Sequence, residues 1–350
     1  MKKLIPLLLS LCLLLTGCTF EYVPPNDTAE FTTTVLDTNG DALVVHFIDV
    51  GQADCTLIEF GDFHMLIDGG NREDGQMVIS YLDRMDIEEL DAVICTHAHE
   101  DHVGGLPSVL AVFPTDAIYA PTRTYSSKVF DDFLYYADQQ DIAITIPDPG
   151  DSFYLGNAEV TVLGPVKSYA DPNNTSIVVK VKFGDTSFLF TGDMEKDAET
   201  DMLDYGMDVS ADVLKVGHHG SSTSTGYRFL YEVDPEYAVI SVGTDNTYGH
   251  PHRETIAILG DAGVPMLRTD ELGTILAITD GSEITFTWEK QSAQPGDIEP
   301  ADATYIGNRN SKKFHLPTCN GLPAENNRVI FDSYNEAIAE GYTPCGNCLG

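Results

Sequence analysis

Three histidines and one aspartate stand within six positions of the chain: His97, His99, Asp101 and His102. They follow Ala92–Cys95, an apolar run that predicts a buried strand. Side chains two positions apart in an extended chain point the same way, so His97 and His99 can bind one ion. Asp101 and His102 come where the chain turns into a helix, and they can face a second ion. These donors suit Zn²⁺, with Mn²⁺ or Fe²⁺ as alternatives; a chance cluster of polar residues in a loop is the competing interpretation.

Apolar runs of strand-like and helix-like period surround this motif and must position it. Strands are predicted at Leu43–Val50, Cys55–Phe60, His64–Ile67, Ala92–Cys95, Ser176–Phe183, Ser187–Phe190, Asp212–Val216, Tyr237–Val242, Gly273–Ile278 and Ile284–Trp288. Helices are predicted near Met77–Met85, Leu106–Val112, Lys128–Gln139, Glu195–Tyr205 and Arg253–Asp261. Strands in both halves with helices between them predict an α+β fold, in which two sheets pack together and helices cover the outside.

Five further segments carry polar or glycine residues beside predicted strands: His46–Asp54, Leu66–Gly70, Thr191–Asp193, Asp212–Ser221 and Tyr248–His252. Together with the His-x-His-x-Asp-His motif, and in this order, they resemble the C-terminal domain of the ComEC/Rec2 competence proteins, within the metallo-β-lactamase superfamily. The resemblance covers about residues 43–290. It implies an αββα sandwich with a dinuclear metal site at one edge of the sheets. It also implies a nuclease acting on DNA, here as a free-standing form without the transmembrane channel of the full-length proteins.

The resemblance implies a role for each matching residue. The first ion would be held by His97 and His99, the second by Asp101, His102 and His218, and both would be bridged by Asp193. Asp68 and Asp54 would lie behind the ligands and fix them by hydrogen bonds. Catalysis would depend on Asp101, Asp193 and His219, with His219 left open as a ligand, a phosphate contact or a proton carrier.

The spacing departs from that of many superfamily hydrolases, because no histidine stands between His102 and His218. The corresponding region carries Asn174 and Ser176, so the first ion would have only two histidines and the shared aspartate. This argues against a β-lactamase and leaves positions for water or a substrate oxygen. The expected contacts to substrate are Asn174, Ser176, Ser221, His250, His252 and Arg253.

The charge of the chain limits its partners. Of 350 residues, 55 are acidic and 19 are Lys or Arg, which gives a formal net charge of −36 and argues against a broad basic surface for nucleic acid. A local basic track would need residues such as Arg123, Lys128, Lys180, Lys182, Lys215, Arg228 and Arg253. The favoured function is a DNA phosphodiesterase that uses a metal-bridging hydroxide. The alternatives are a cell-envelope phosphoesterase acting on choline phosphate or teichoic acid, and a degenerate binding module; no protein partner is inferred.

The N-terminal segment predicts export and lipidation. Two lysines precede the apolar run Leu4–Leu15, which is too short to span a bilayer comfortably, and Leu15–Cys18 resembles a bacterial lipobox. We expect a signal peptide over 1–17, a lipidated Cys18, a flexible tether over 18–42, and anchoring on the outer face of the cytoplasmic membrane. An ordinary signal peptide cut near a chance cysteine is the alternative.

Residues 304–350 predict a small α+β module that follows a linker over 291–303. One structural Zn²⁺ would be held by His315, Cys319, Cys345 and Cys348. The pattern resembles the small zinc-binding domain of the Ada DNA-repair protein, with His315 in place of that family's first cysteine. A module of this size rarely folds on core burial alone, so a metal is expected; a disulfide is the alternative for thiols on an exported protein.

Overall fold

The computed structural model describes residues 42–290, 305–317, 319–331, 334–346 and 348–349 of the chain. The predicted signal peptide, the lipidation site Cys18 and the linker 291–303 lie outside the described residues. No helix in the described part is both long and apolar enough to cross a membrane.

Short strands and helices alternate along the chain. The described strands are β1 (Leu43–Phe47), β2 (Thr56–Phe60), β3 (Phe63–Ile67), β4 (Leu90–Ile94), β5 (Thr115–Tyr119), β6 (Ser152–Leu155), β7 (Ala158–Gly164), β8 (Val178–Phe183), β9 (Thr186–Phe190), β10 (Val213–Lys215), β11 (Tyr237–Ile240), β12 (Met266–Arg268), β13 (Ile275–Thr279), β14 (Ile284–Trp288), β15 (Tyr305–Asn308), β16 (Lys313–His315), β17 (Arg328–Phe331) and β18 (Thr343–Pro344). The described α-helices are α1 (Gly75–Arg84), α2 (Glu100–Val103), α3 (Leu106–Leu110), α4 (Lys128–Gln139), α5 (Lys196–Tyr205), α6 (Tyr227–Val233), α7 (Arg253–Asp261), α8 (Thr269–Leu272) and α9 (Tyr334–Ala339).

The first fourteen strands form two seven-stranded sheets, in the orders β14-β13-β1-β2-β3-β4-β5 and β12-β11-β10-β9-β8-β7-β6. The sheets pack face to face over an apolar core, in which the rings of Phe47 and Phe190 stack with centroids 6.1 Å apart. Helices α1, α3 and α4 cover the outside of the first sheet, and α5, α6 and α7 cover the second. The predicted αββα sandwich is therefore confirmed.

Loops from both sheets meet at one edge of this sandwich. The segment after β4 bonds the segment before β8, since the carbonyl of Thr96 accepts the N–H of Ile177 at 2.9 Å. The loops after β9 and β10 are joined in the same way, by the N–H of His218 and the carbonyl of Gly192 at 3.0 Å. The histidine motif and the segments that carry Asp193 and His218 are thus brought together.

A third sheet, in the order β17-β15-β16-β18, forms the described C-terminal part. Tyr305 and Phe314 of this sheet belong to the same apolar cluster as the helices over the second sheet. The Tyr305 hydroxyl lies 2.8 Å from the hydroxyl of Tyr227 on α6 and also contacts the carboxylate of Asp261 on α7. The boundaries expected for the domains remain predictions, because the residues between Lys290 and Tyr305 are not described.

Candidate metal centre

Three histidine rings pack together where β4 leads into α2. His97 and His102 are buried, and His99 is partly exposed. Nε2 of His97 lies 3.1 Å from Nδ1 of His99, and the ring centroids of His97 and His102 are 4.2 Å apart. Burial and the neighbouring His102 lower the pKa of His97 well below its ordinary value, which keeps this ring neutral, as a metal ligand must be.

Asp68 holds the motif from behind. It follows β3 with a φ of 59°, a left-handed conformation that a non-glycine residue adopts only rarely. Its carboxylate accepts hydrogen bonds from the backbone N–H of Thr96 at 2.8 Å and from the Thr96 hydroxyl at 2.7 Å. It also lies 2.7 Å from Nδ1 of His102. Because Nδ1 is engaged, Nε2 of His102 is directed to the centre of the site.

Asp193 is buried in the loop after β9 and presents its two carboxylate oxygens to different imidazoles. Oδ1 lies 3.1 Å from Nε2 of His102 and 3.7 Å from Nε2 of His219. Oδ2 lies 3.8 Å from Nε2 of His97. Burial opposes ionisation, but His102 and His219 bring the pKa of Asp193 well below its ordinary value. This geometry suits a carboxylate that bridges two cations.

His218 and His219 occupy the tight turn Gly217–Gly220 after β10, with φ values of 52° and 54°. Nε2 of the buried His219 lies 3.3 Å from Oδ2 of Asp101. Nε2 of His218, whose side chain is 22% exposed, lies 3.6 Å from Oδ2 of Asp193. The expected assignment is corrected here: His219, not His218, groups with Asp101. Two successive left-handed residues send the two rings to opposite oxygens of Asp193, which strand alternation does not anticipate.

Two sets of donor atoms converge around Asp193. One set is His97, His99 and Asp193; the other is Asp101, His102, Asp193 and His219, and within each set the atoms lie within 4.8 Å of one another. Nε2 of His102, Oδ1 of Asp193 and Nε2 of His219 are buried with no hydrogen-bond partner among the described residues. Buried polar atoms are seldom left unpaired, so these three fit a cation bound between them. Imidazole and carboxylate donors suit Zn²⁺ or Mn²⁺.

Lys215 and Asp54 form a buried ion pair behind His219. Nζ of Lys215 lies 3.0 Å from Oδ2 of Asp54 and donates to the carbonyl of Val216 at 3.0 Å. Oδ1 of Asp54 lies 3.3 Å from Nδ1 of His219. The expectation of Lys215 on a basic surface is corrected, since its side chain is only 3% exposed. The ion pair was not predicted, although a lysine inside an apolar strand indicates a buried anionic partner.

The donor atoms open into a cavity of about 940 Å³. Its walls carry the carboxylates of Asp49, Glu73, Asp74, Glu100, Asp101 and Asp193. No lysine or arginine is among the described residues that line it. The potential in the cavity is therefore negative until divalent cations bind there.

Of the six expected substrate contacts, only His250 lines this cavity. The oxygen of the Gln52 amide accepts the N–H of Gly243 at 3.2 Å, so its nitrogen donates to Nδ1 of His250 at 3.3 Å. The ring proton of His250 is then on Nε2. Burial, together with His219, lowers the pKa of His250 to about 4, and the ring is neutral at pH 7.

The other five expected contacts do not line the cavity, and their role in substrate binding stays a prediction. Asn174, Ser176 and Ser221 are buried and hydrogen-bond nearby backbone groups. His252 accepts the N–H of Ser222 at 2.9 Å, and Arg253 is exposed at the start of α7. The cavity is lined instead by Gln52, Asn173 and Tyr248, which were not predicted. Gln52 lies two positions before Asp54 in the segment His46–Asp54, and this neighbourhood could have indicated Gln52 as a site residue.

The basic track considered from the sequence does not form around this cavity. Lys180 pairs with Asp208 at 3.0 Å, and Arg228 pairs with Asp204 at 2.8 Å. These pairs lie on the helix-covered second sheet and its helices, away from the loops that carry the donor atoms. A phosphate in the cavity would therefore depend on bound cations and not on lysine or arginine.

A second group of metal-type donors lies in the C-terminal part. His315, Cys319, Cys345 and Cys348 place one donor atom each within 4.8 Å of one another. Nδ1 of His315 lies 3.4 Å from Sγ of Cys319, and the N–H of Gly321 donates to the same sulfur at 3.4 Å. Three sulfurs and one imidazole are a donor set that fits a structural Zn²⁺.

An αββα sandwich with imidazole and carboxylate donors at one sheet edge defines a metal-dependent hydrolase. A model of the metallo-beta-lactamase superfamily matches residues 48–244, more than half of the chain. The chain therefore belongs to the metallo-beta-lactamase superfamily, whose fold implies metal ions at this edge. A model of the metal binding domain of Ada matches residues 291–349.

Curated relatives confirm the predicted resemblance to competence proteins. ComE operon protein 3 of Bacillus subtilis (strain 168) is 34% identical over 66% of this chain and 32% of that protein. Competence protein ComA of Neisseria gonorrhoeae is 31% identical over 65% of this chain and 31% of that protein. The chain thus spans about a third of the length of these relatives. Among solved structures, the metallo-beta-lactamase fold protein YhfI from Bacillus subtilis aligns over 70% of this chain and 99% of that chain, at 14% identity and a TM-score of 0.45.

Proposed function

We propose that this hydrolase is a dinuclear phosphodiesterase that cleaves DNA outside the cytoplasm, where a lipid on Cys18 tethers it to the membrane. One observation carries the dinuclear proposal: Asp193 presents separate oxygens to two sets of donor atoms. Paired divalent ions are typical of enzymes that displace an oxygen at a phosphodiester.

Divalent ions, when bound, supply Lewis acidity and lower the pKa of water. The chain supplies orientation. Asp68 engages Nδ1 of His102. The carbonyl of Ser241 accepts from Nδ1 of His219, and Asp54 lies 3.3 Å from the same nitrogen. Nε2 of each ring is left for a cation. His250 carries its proton on Nε2 at the cavity wall, where the neutral ring can donate a hydrogen bond to a substrate oxygen.

The competence and recombination names of the relatives support DNA as the substrate. The charge of the cavity is compatible with this proposal only in the metal-loaded protein. Six lining carboxylates would repel a phosphodiester, whereas two divalent ions at the donor atoms offset four of those charges. The proposal therefore expects binding of DNA at the centre, as well as its cleavage, to require metal.

The same acidic wall favours a second candidate, a cell-envelope phosphoesterase acting on substrates that carry a cationic group, such as choline phosphate. A quaternary ammonium group suits a cavity lined by carboxylates and without lysine or arginine among its described residues. Tyr248, whose side chain is 68% exposed at this wall, offers a ring face for a cation–π contact.

One parallel assay distinguishes the two candidates. The purified full chain, loaded with Mn²⁺ or Zn²⁺, is given single- and double-stranded DNA, bis-p-nitrophenyl phosphate and p-nitrophenyl phosphorylcholine. We expect hydrolysis of DNA and of the simple diester, with loss of both activities in EDTA. Turnover of p-nitrophenyl phosphorylcholine without any DNA cleavage would support the second candidate and contradict the first.

A further inference from the structure

A second cavity, of about 420 Å³, lies beside the metal cavity. Asn71 lines the metal cavity, and the next residue, Arg72, lines the second one. Asp101 lines the metal cavity and Gly104 lines the second one. These two residues are three positions apart on one helical segment, which corresponds to a rise of only about 5 Å. A Cβ at Gly104 would lie 2.4 Å from the backbone nitrogen of Arg72, so the two cavities share this wall. We call the second cavity the tyrosine groove, after its lining residues Arg72, Gly104, Lys128, Asp132, Tyr135 and Tyr136.

The tyrosine groove combines exposed aromatic surface with positive charge. Tyr135 is 55% exposed, and its ring centroid lies 5.2 Å from that of Tyr136 in an edge-to-face arrangement. Arg72 lies 3.0 Å from the carboxylate of Asp132, and Lys128 pairs with the same carboxylate. Two cations share one anion, so the ion-paired group keeps a net positive charge. The side chains of Lys128 and Arg72 are 76% and 58% exposed.

This charge contrasts with that of the metal cavity, whose lining carries six carboxylates and, within the described residues, no lysine or arginine. A polyanionic strand held at the metal centre is repelled along the wall that carries Asp49, Glu73 and Asp74. Glu100 and Asp101 at the start of α2 continue this acidic lining, and beyond them a strand meets Arg72 and Lys128 in the tyrosine groove. Charge complementarity and continuity with the metal cavity therefore favour the tyrosine groove as the path by which a polyanionic strand leaves the metal centre.

We infer that the tyrosine groove binds the single-stranded DNA that flanks the scissile phosphodiester. Tyr135 stacks on an unpaired base, and Arg72 and Lys128 contact the phosphates beside it. This inference rests on the proposed DNA phosphodiesterase and adds the form of its substrate. Asp101 and Gly104 are only three residues apart on the segment that separates the two cavities, so a strand held at the metal centre can continue into the groove.

Stacking on Tyr135 requires a single strand, because the bases of a duplex already stack on each other. Every base has a ring face, so such a contact tolerates sequence variation. The two cations give a salt dependence, since each phosphate neutralised on a single strand contributes about −0.7 to the slope of log affinity against log salt.

The test compares matched variants of the full chain in the metal-loaded state. Tyr135→Ala removes the ring and Tyr135→Phe keeps it, while Tyr205→Ala removes a similarly exposed ring on α5. For each variant, KM is measured with a single-stranded 20-mer, with its duplex and with bis-p-nitrophenyl phosphate. We expect Tyr135→Ala to raise the ratio of the KM for the single strand to that for bis-p-nitrophenyl phosphate about tenfold, as loss of one stacked base would. Tyr135→Phe and Tyr205→Ala should leave the ratio at its wild-type value.

A second measurement uses binding alone. Fluorescence anisotropy of a labelled phosphorothioate 20-mer, which resists cleavage, on the metal-loaded full chain gives the slope of log affinity against log salt. Lys128→Gln should reduce this slope by about 0.7, and Lys182→Gln, an exposed lysine on β8, should not change it.

Three outcomes would contradict the proposal that the tyrosine groove binds single-stranded DNA. In the first, the wild type cleaves the 20-mer, and the KM ratio of Tyr135→Ala equals that of Tyr205→Ala. The tyrosine groove then does not bind the substrate, and the proposed phosphodiesterase function stands. If Tyr135→Ala raises KM equally for duplex and single strand, the single-strand assignment is wrong. If the wild type neither binds nor cleaves any DNA, the groove and the proposed function fail together.

Discussion

Lys215 lies in a strand with apolar neighbours, and its ammonium group contacts the carboxylate behind a proposed metal ligand. Burial alone would raise the pKa of Asp54, but Lys215 and His219 bring it well below its ordinary value. Asp54 therefore stays ionised against Nδ1 of His219. Nδ1 donates to the carbonyl of Ser241 at 3.1 Å. This hydrogen bond, together with the charge of Asp54, orients the ring so that Nε2 faces Asp101 and Asp193. Lys215 does not line the cavity, but through Asp54 it influences the direction of Nε2 of His219.

Lys215→Met is predicted to weaken metal binding at the centre by about 10- to 100-fold. The substitution leaves Asp54 buried without its cation, so that carboxyl takes up a proton or moves, and His219 loses the negative charge beside its Nδ1. Isothermal titration of the metal-free chain with Zn²⁺ measures the affinity.

Two comparisons make this prediction specific. The double variant Lys215→Met with Asp54→Asn removes both charges and should recover part of the affinity, because no unpaired buried charge remains. Lys182→Met alters an exposed lysine and should bind metal as the wild type does. Wild-type affinity in Lys215→Met would contradict the role assigned to the buried pair.

The sequence predicts the positions of some residues of the site and not of others. The histidine motif is local, so its rings were expected near one another, and His97 and His99 do lie in contact. The choice between His218 and His219 depends on two successive left-handed residues. That turn geometry is decided by packing against neighbouring loops, and no spacing rule specifies it. The sequence also could not show that the Ser176 hydroxyl hydrogen-bonds backbone groups of its own loop and of the loop after β9, because such contacts depend on how the loops pack.

At the scale of elements, one buried carboxylate joins two helices of the outer layer. Glu199 on α5 accepts hydrogen bonds from the backbone N–H groups of Thr225 and Gly226, where α6 begins. Burial raises the pKa of Glu199 from 4.5 to about 7. The connection between the helices is therefore sensitive to pH in the neutral range.

The stability of the fold is predicted to fall as pH rises from about 4.5 to 7, through the ionisation of Glu199. In that window the folded chain binds more protons than the unfolded chain, so the free energy of unfolding decreases with pH, by up to about 3 kcal/mol. Urea unfolding of wild type and Glu199→Gln across this range measures the effect. The variant should show a flatter dependence, while Glu88→Gln, which alters an exposed glutamate, should follow the wild type. Parallel curves for wild type and Glu199→Gln would contradict the prediction.

Elements with strong apolar period were predicted at their observed bounds. Helices α4 and α7 and strand β14 begin and end where the sequence indicated. The hairpin of β6 and β7 was not predicted, although Ala158–Val162 alternates buried and half-buried side chains. Its partner Ser152–Leu155 is an edge strand of only four residues. Helix α6 was also missed, since seven residues give fewer than two full turns of pattern. Short or half-exposed elements form here because neighbouring elements complete them.

At the scale of the whole molecule, the C-terminal part adds its own donor cluster and packs on the helices of the second sheet. Tyr305 and Phe314 share an apolar cluster with Tyr227 and Leu230 of α6. Cys319→Ser is predicted to remove one equivalent of bound zinc and to lower the melting temperature by several degrees, because a small module depends on its metal. Hydrolysis of bis-p-nitrophenyl phosphate at 25 °C should persist. Metal analysis, calorimetry and the diester assay report the three effects, and unchanged zinc content would contradict the cluster.

The location of the protein is a second prediction at this scale. Cys18→Ser removes the thiol proposed to receive the lipid, so the chain should leave the membrane fraction and appear in the soluble extracytoplasmic fraction. Fractionation followed by immunoblotting measures this, with Cys55→Ser, a change at a buried core thiol, as the control. Retention of Cys18→Ser in membranes would count against the lipobox.

The central claim is that Asp193 joins two metal ions, and counting metals tests it most directly. Native mass spectrometry of the zinc-loaded full chain should show three ions, two at Asp193 and one at the C-terminal cluster. Asp193→Asn should lose at least one of them, and its diesterase activity should fall to background while its circular dichroism spectrum stays unchanged. Three ions and wild-type activity in Asp193→Asn, or only two ions in the wild type, would contradict the account.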